Sequence, residues 1–267
     1  MTLSSDDIDR AAADLLRAEA GRSQIGLLSL RHPGMTLDDA YAIQSAQMAR
    51  KLEQGRTILG WKIGLTSKAM QDALGIDTPD SGVLYDDMNF PDNATVPAGR
   101  FIQPRIEAEI AFIMKAPLEG EVTRDQVLAA TEAVAPALEI LDTRILRADP
   151  ETGQTRRIFD TVADNAANAG IVLGTQRHAP DNVDLRWIGA IVKSGPQVVA
   201  TGLGAAVLDD PVTGMVWLAR RMGQYGQRIE AGQVVLSGSF IAPIECPSGT
   251  DIHADYGAFG DVSVSFE

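Results

Sequence analysis

Three glutamates are the residues of this sequence best suited to chemistry. Glu107 and Glu109 lie in FIQPRIEAEIAFIM (residues 101–114), where Ile106, Ala108, Ile110 and Phe112 alternate with Glu107, Glu109 and Ala111. A period of two is that of a β-strand, so both carboxylates leave one face, about 7 Å apart at a rise of roughly 3.3 Å per residue. Glu139 sits in a second apolar run, VAPALEILD, just after Pro136. That run reads as a buried strand, where a carboxylate is costly unless a cation or donors compensate it. A solvated face is the plainer reading of a Glu-x-Glu pair, and Glu139 argues against it. Three carboxylates are hard oxygen ligands, the kind that suits Mg²⁺ or Mn²⁺ with water or substrate completing an octahedral shell. The expected centre is a divalent-metal site built from two strands.

Two further residues are candidates. Lys62 lies between Gly60 and Gly64 in an apolar stretch, residues 57–65, that reads as a strand. A lysine there either snorkels outward or is held inward against an anion. Asp80 belongs to PDSG within residues 77–82, a turn sequence expected to present it on a loop, where an aspartate usually serves the turn itself.

Other chemistries find little support. His32, His178 and His253 are the only histidines and have neither triad nor ligand spacing. Gly202, Leu203 and Gly204 follow a strand but lack the remaining glycine of a dinucleotide fingerprint. Cys246 is the single cysteine, which excludes an internal disulfide framework and fits a reducing cytoplasm. A net charge of −13 argues against nucleic acid or an anionic membrane as partner. The first residues, MTLSSDDIDRAAADLL, are acidic where a signal peptide is basic, and no apolar run approaches the ~20 residues of a membrane span. A cytoplasmic protein is expected.

The elements that must position these groups form an α+β layout. Residues 6–20 show helical spacing, with Ser4 or Ser5 as cap and Gly21 as terminator. A second helix starts at the Thr36 cap, carries Asp38 and Asp39 in its first turn and stops at Gly55. Residues 1–56 are thus a helical segment packing on the core, and residues 57–267 a β-rich catalytic domain. Within the latter, residues 67–74 and 123–134 read as helices. Residues 144–157 form a polar loop, and DNAANAG (164–170) permits close backbone approach before a strand at 171–173. Short strands dominate from Leu185, interrupted by a helix over 211–222.

GWKIGLTSKAM, PDSGVLYDDM, PRIEAEIAF, ALEILDTR, FDTVADNAANAG, LSGSF and DYGAFGDVSVSF together resemble the hydratase and decarboxylase branch of the fumarylacetoacetate hydrolase superfamily, across almost the whole chain. The resemblance implies a mixed β-sandwich roll with peripheral helices, and a Mg²⁺ or Mn²⁺ ion held by Glu107, Glu109 and Glu139. It implies Lys62 and Asp80 as the catalytic groups and Ser239 as a hydroxyl near substrate. Arg157 stands where relatives often carry lysine, and Arg156, Arg157 or Lys68 are the options for pairing with a distal carboxylate. The activity implied is hydration of 2-oxo-hept-3-ene-1,7-dioate, through its dienol and keto tautomers, to 4-hydroxy-2-oxoheptanedioate. That step belongs to aromatic meta-cleavage catabolism, of 4-hydroxyphenylacetate in particular, in a homo-oligomer. Hydration of 2-hydroxypenta-2,4-dienoate, decarboxylation of 4-oxalocrotonate and non-catalytic binding of a 2-oxo acid are the alternatives.

Overall fold

A computed structural model describes residues 2–67, 71 and 78–267. Lys68 and all but Ser67 and Gln71 of the helix expected over 67–74 lie outside the described residues.

The N-terminal helices form where their caps place them. Helix α1 (Ser5–Gly21) starts at Ser4, whose hydroxyl accepts from Asp7 N at 3.2 Å. It ends one residue later than expected: Gly21 is still helical, and Arg22 takes the left-handed conformation at φ 52°. The guanidinium of Arg22 offsets that strain by donating to Gly99 O at 2.9 Å. After α2 (Leu28–Arg31), α3 (Leu37–Glu53) begins with a reciprocal cap, Thr36 against Asp39, and Gly55 follows it at φ 88°. Ala11, Leu15, Leu28 and Ile43 pack with Ile145, Val162 and Ala163, the last two from helix α5 (Ile158–Ala163).

Thirteen strands make two sheets among the described residues. They are β1 (Ile58–Gly64), β2 (Asp80–Tyr85), β3 (Asn89–Phe90), β4 (Ala94–Val96), β5 (Arg105–Met114), β6 (Thr131–Leu141), β7 (Asn168–Leu173), β8 (Gly189–Ser194), β9 (Gln197–Leu203), β10 (Val234–Ser239), β11 (Ile244–Glu245), β12 (Thr250–Asp255) and β13 (Asp261–Phe266). The first sheet runs β2-β1-β10-β5-β6-β7-β3, with β11 also on β5; the second runs β4-β13-β12-β8-β9. Ile106, Ala108, Ile110 and Phe112 of β5 pack with Val192, Ile252, Ala254, Val262 and Val264 of the second sheet, the inner layer of a β-sandwich. Val212, Met215 and Leu218 of α6 (Pro211–Gly223) join this core. Glu107, Glu109 and Ala111 leave β5 on the opposite face, where Ala111 meets Leu84, Ala137, Ile171 and Leu236.

Two expectations are corrected. The helix expected over 123–134 is α4 (Arg124–Ala130), because β6 begins at Thr131; pairing along all of β5 overrides the helical preference of the intervening residues. Asp80 opens β2 rather than riding on a loop, buried and opposite Gly64 of β1. Two neighbours fix β2 there. Gln44 of α3 donates to Ser81 O at 2.9 Å and to Val162 O at 3.0 Å. Asn165 takes both backbone groups of Val83, accepting at 2.8 Å and donating at 3.0 Å. No helix of the described residues is long and apolar enough to cross a membrane.

Candidate metal centre and active site

Strand register brings the three glutamates together. In the antiparallel β5–β6 pair, Glu107 lies opposite Glu139 and Glu109 opposite Ala137. Each glutamate offers an oxygen within 4.8 Å of the others. Glu109 and Glu139 are fully buried and Glu107 half-buried. Glu109 Oε2 accepts the N–H of Gly238 at 2.7 Å. Its Oε1 and both oxygens of Glu139 have no hydrogen-bond partner among the described residues. An idle buried acceptor costs about 1–3 kcal/mol, more when charged, so this concentration of idle lone pairs is a deficit that a cation corrects. The donor set is all carboxylate, which fits a hard divalent ion.

The electrostatics point the same way. Burial, then the charge of Glu139, pushes the Glu107 carboxyl up to about 8. Burial and the neighbouring glutamates raise Glu109 well above the usual range, and burial raises Glu139. Carboxyls crowded this way resist ionising together, and a bound cation inverts that preference.

Lys62 reaches the cluster from β1, which lies two strands from β5 across β10. It is 3% exposed, with Nζ 3.4 Å from Glu139 Oε1. Burial alone would depress its pKa; Glu139, Asp80, Glu107 and Glu109 outweigh burial and keep the ammonium charged. Asp80 is 1% exposed, its Oδ1 lacks a partner among the described residues, and burial raises its pKa against the pull of Lys62 and Arg156. Gly64 makes room for both: a Cβ there would collide with Asp80 Oδ1 and press on Lys62 Nζ.

Three contributors escaped the sequence reading because each acts through the backbone. Tyr256 Oη accepts Glu109 N–H at 3.1 Å and donates to Ala137 O at 2.7 Å, pinning β5 to β6 where Glu109 emerges. Gly64 is one of a glycine pair that the strand pattern flagged only as flanking Lys62. Gly238, at φ 116°, holds Glu109 and abuts Thr66. Gly238→Ala is therefore expected to lower stability by about 2 kcal/mol or more, from strain and overlap with Thr66, and to weaken divalent-metal binding. Thermal melts with and without Mg²⁺ measure both, and an unchanged melting temperature would contradict the stated contact.

Ser239 pairs with Glu109 in the β10–β5 ladder, but its hydroxyl donates to Ile241 O at 2.9 Å in a local turn. Arg157 is exposed and starts α5, its N–H bonded to Asp160 Oδ2 at 2.9 Å; no contact joins its side chain to the glutamates. Arg156, beside it, is half-buried and lies close enough for Asp80 to feel its charge. A roomier cavity, about 720 Å³, opens between residues 97–104 and Glu245, Cys246 and Phe266. It contains none of the five clustered residues, and the buried lone pairs, rather than volume, mark where chemistry belongs.

No protein-family model matches the chain. It is 46% identical over 256 residues to 2-oxo-hept-4-ene-1,7-dioate hydratase of Escherichia coli, covering 96% of both chains. It is 40% identical over 260 residues to 2-keto-4-pentenoate hydratase of Paraburkholderia xenovorans (strain LB400), covering 97% of this chain and 94% of the relative. Among solved structures, 4-oxalocrotonate decarboxylase from Pseudomonas putida G7, complexed with magnesium and adipate, superposes with a TM-score of 0.93 at 33% identity, covering 100% of this chain and 99% of the other.

Proposed function

We propose a metal-assisted hydratase of a seven-carbon 2-oxo diacid, from the premise that the chain belongs to the hydratase and decarboxylase branch of the fumarylacetoacetate hydrolase superfamily. It is a hydro-lyase. The observation that carries this reading is the set of buried carboxylate oxygens with no hydrogen-bond partner among the described residues, beside the Lys62 ammonium.

Glu107, Glu109 and Glu139 would hold Mg²⁺ or Mn²⁺, which when bound supplies electrophilic polarisation of a 2-oxo acid's carboxylate and adjacent carbonyl oxygen. The substrate follows from 46% identity to a hydratase named for the 4-ene diacid. In that isomer C3 is a methylene between the carbonyl and the alkene, the most acidic carbon of the chain. Asp80 Oδ1, which has no hydrogen-bond partner among the described residues, takes the C3 proton, giving the dienolate. Return of a proton at C5 yields the conjugated 2-oxo-3-ene, the isomer inferred from the sequence, and only this one is activated for water to add at C4. A proton to C3 completes 4-hydroxy-2-oxoheptanedioate. The Lys62 ammonium holds positive charge beside the developing enolate and is placed to donate. Burial of Asp80, Lys62, Glu109 and Glu139 keeps bulk water from competing.

The wider reading is a cytoplasmic step of aromatic meta-cleavage catabolism, of 4-hydroxyphenylacetate in particular, with residues 1–56 as a packing layer on a catalytic part, 57–267. Self-association rests on an exposed apolar face, Trp187, Ile191, Val198, Val199 and Leu203, on and before β8 and β9; a monomer in sedimentation equilibrium would exclude it.

A substrate panel tests the function. With Mg²⁺, the seven-carbon diacid is expected to be hydrated without CO₂ release, at least about tenfold better in kcat/KM than 2-hydroxypenta-2,4-dienoate. Stoichiometric CO₂ from 4-oxalocrotonate would make it a decarboxylase, and no turnover of any dienoate with either metal would leave a binding protein.

A further inference from the structure

Arg105 precedes Glu107 by two residues on β5, so both side chains leave the same face, about 7 Å apart along the strand. It is half-buried, and among the described residues its guanidinium has no hydrogen bond and no carboxylate within 4 Å. Its ladder partner on β11 is Glu245, which is committed elsewhere: Oε1 of Glu245 binds Arg147 Nη2 at 2.6 Å. Arg147 and Arg156 are paired across a hairpin, with Arg156 N donating to Arg147 O at 2.9 Å and a bridge between Ala148 and Thr155. The guanidinium of Arg156 makes one long bond, to Ile145 O at 3.4 Å, and no ion pair within 4 Å among the described residues.

Two half-buried guanidinium groups thus lie at the end of the glutamate face; the charges of Glu245, Glu107 and Asp142 reach Arg105 and those of Asp164 and Asp160 reach Arg156, but none of these carboxylates pairs directly with either among the described residues. Arg156 lies close enough to feel the charge of Arg105, and Arg147 is close to both. Their fields reach the site itself: Glu107 feels Arg105, and Asp80 feels Arg156. In a chain of net charge −13, a half-buried positive pair with no directly paired carboxylate among the described residues has the chemistry of an anion site. An extended seven-carbon diacid spans about the two-residue rise, roughly 7 Å, between Glu107 and Arg105.

We infer that Arg105 and Arg156 form the subsite that grips the distal carboxylate of the substrate and selects diacids over monoacids. Resting on the hydratase reading, it assigns that role to Arg156 and to a residue unconsidered from sequence, in place of Arg157.

The test uses Arg105→Gln and Arg156→Gln in the full, Mg²⁺-loaded chain, with melting temperature as the folding control. For the seven-carbon diacid each variant is expected to raise KM about tenfold or more with kcat little changed. For the five-carbon monoacid kcat/KM stays put. Arg157→Gln leaves both unchanged. Equal losses on both substrates, or none on either, would overturn the assignment. A second readout is independent of turnover. Calorimetry should show wild-type chain binding adipate about tenfold more tightly than hexanoate, a preference that Arg105→Gln erases. Should wild type hydrate neither substrate, the hydratase reading fails and this binding comparison still decides: equal affinity for diacid and monoacid sinks the subsite, and a retained diacid preference in wild type alone supports it.

Discussion

Glu109→Gln is expected to abolish hydration while leaving the metal-free protein as stable as the wild type or more so. Most buried-residue replacements do the reverse. Without a cation, Glu107, Glu109, Glu139 and Asp80 face a single ammonium among the described residues, Lys62, so ionising all four carboxylates in the interior is unfavourable. Glutamine is nearly isosteric and keeps an acceptor for Gly238 N–H, the one bond Oε2 makes among the described residues, while removing a charge from the repulsion. Mg²⁺ at about 100 times its Kd should stabilise the wild type by about 2.7 kcal/mol, or roughly 5–10 °C in a domain of this size. In the variant that rise should vanish, and turnover should fall by about 10³ or more. Calorimetric scans with Mg²⁺ and with chelator, alongside the hydration assay, read all three quantities. A variant that still gains the full metal-dependent rise would show that Glu109 is no ligand.

How much of this was legible in the sequence depends on the range of the interaction that fixes each residue. The two faces of β5 were readable because alternation is local, and so were the caps at Ser4 and Thr36, whose bonds span three residues. That Glu139 stands opposite Glu107 was not, since a register shift of one residue would send it to the other face. Asp80 was misplaced because PDSG is turn-rich; what makes it the start of a buried strand is Gln44 and Asn165, at sequence separations of 37 and 82 from their β2 partners. Tyr256 contacts Glu109 across 147 residues, and nothing near Tyr256 announces it. DNAANAG was read as allowing close approach. In the structure, Asn165, Ala166 and Ala167 are all left-handed, at φ 51°, 52° and 61°, and Asn165 O lies against Gly82. Strain of that kind persists only where surroundings enforce it, and here they hold the strand that carries Asp80. Arg105 is different: it lies on the same alternation as Glu107, so parity alone marks its face, and only its lack of a directly paired carboxylate among the described residues needed coordinates.

Lys62→Met should cut kcat by about 10²–10⁴ and leave KM within a few-fold. The replacement is close in length and apolar, so it fills the same 3% exposed position without adding a cavity. What it removes is the one cation touching the cluster among the described residues, 3.4 Å from Glu139 Oε1. If the ammonium stabilises charge that develops only as the C3 proton leaves, its loss raises the barrier without weakening ground-state binding. Equal damage to kcat and to substrate affinity would make Lys62 a positioning residue instead. Lys62→Arg separates charge from geometry. A guanidinium keeps the charge but needs more room than Gly64, Asp80 and Glu139 leave around Nζ, and its planar fork does not replace a compact donor. Arg is therefore expected to rescue little. Substantial rescue would mean that a positive charge anywhere in the pocket suffices, and the proton-donating role given to Lys62 Nζ would have to pass to another group.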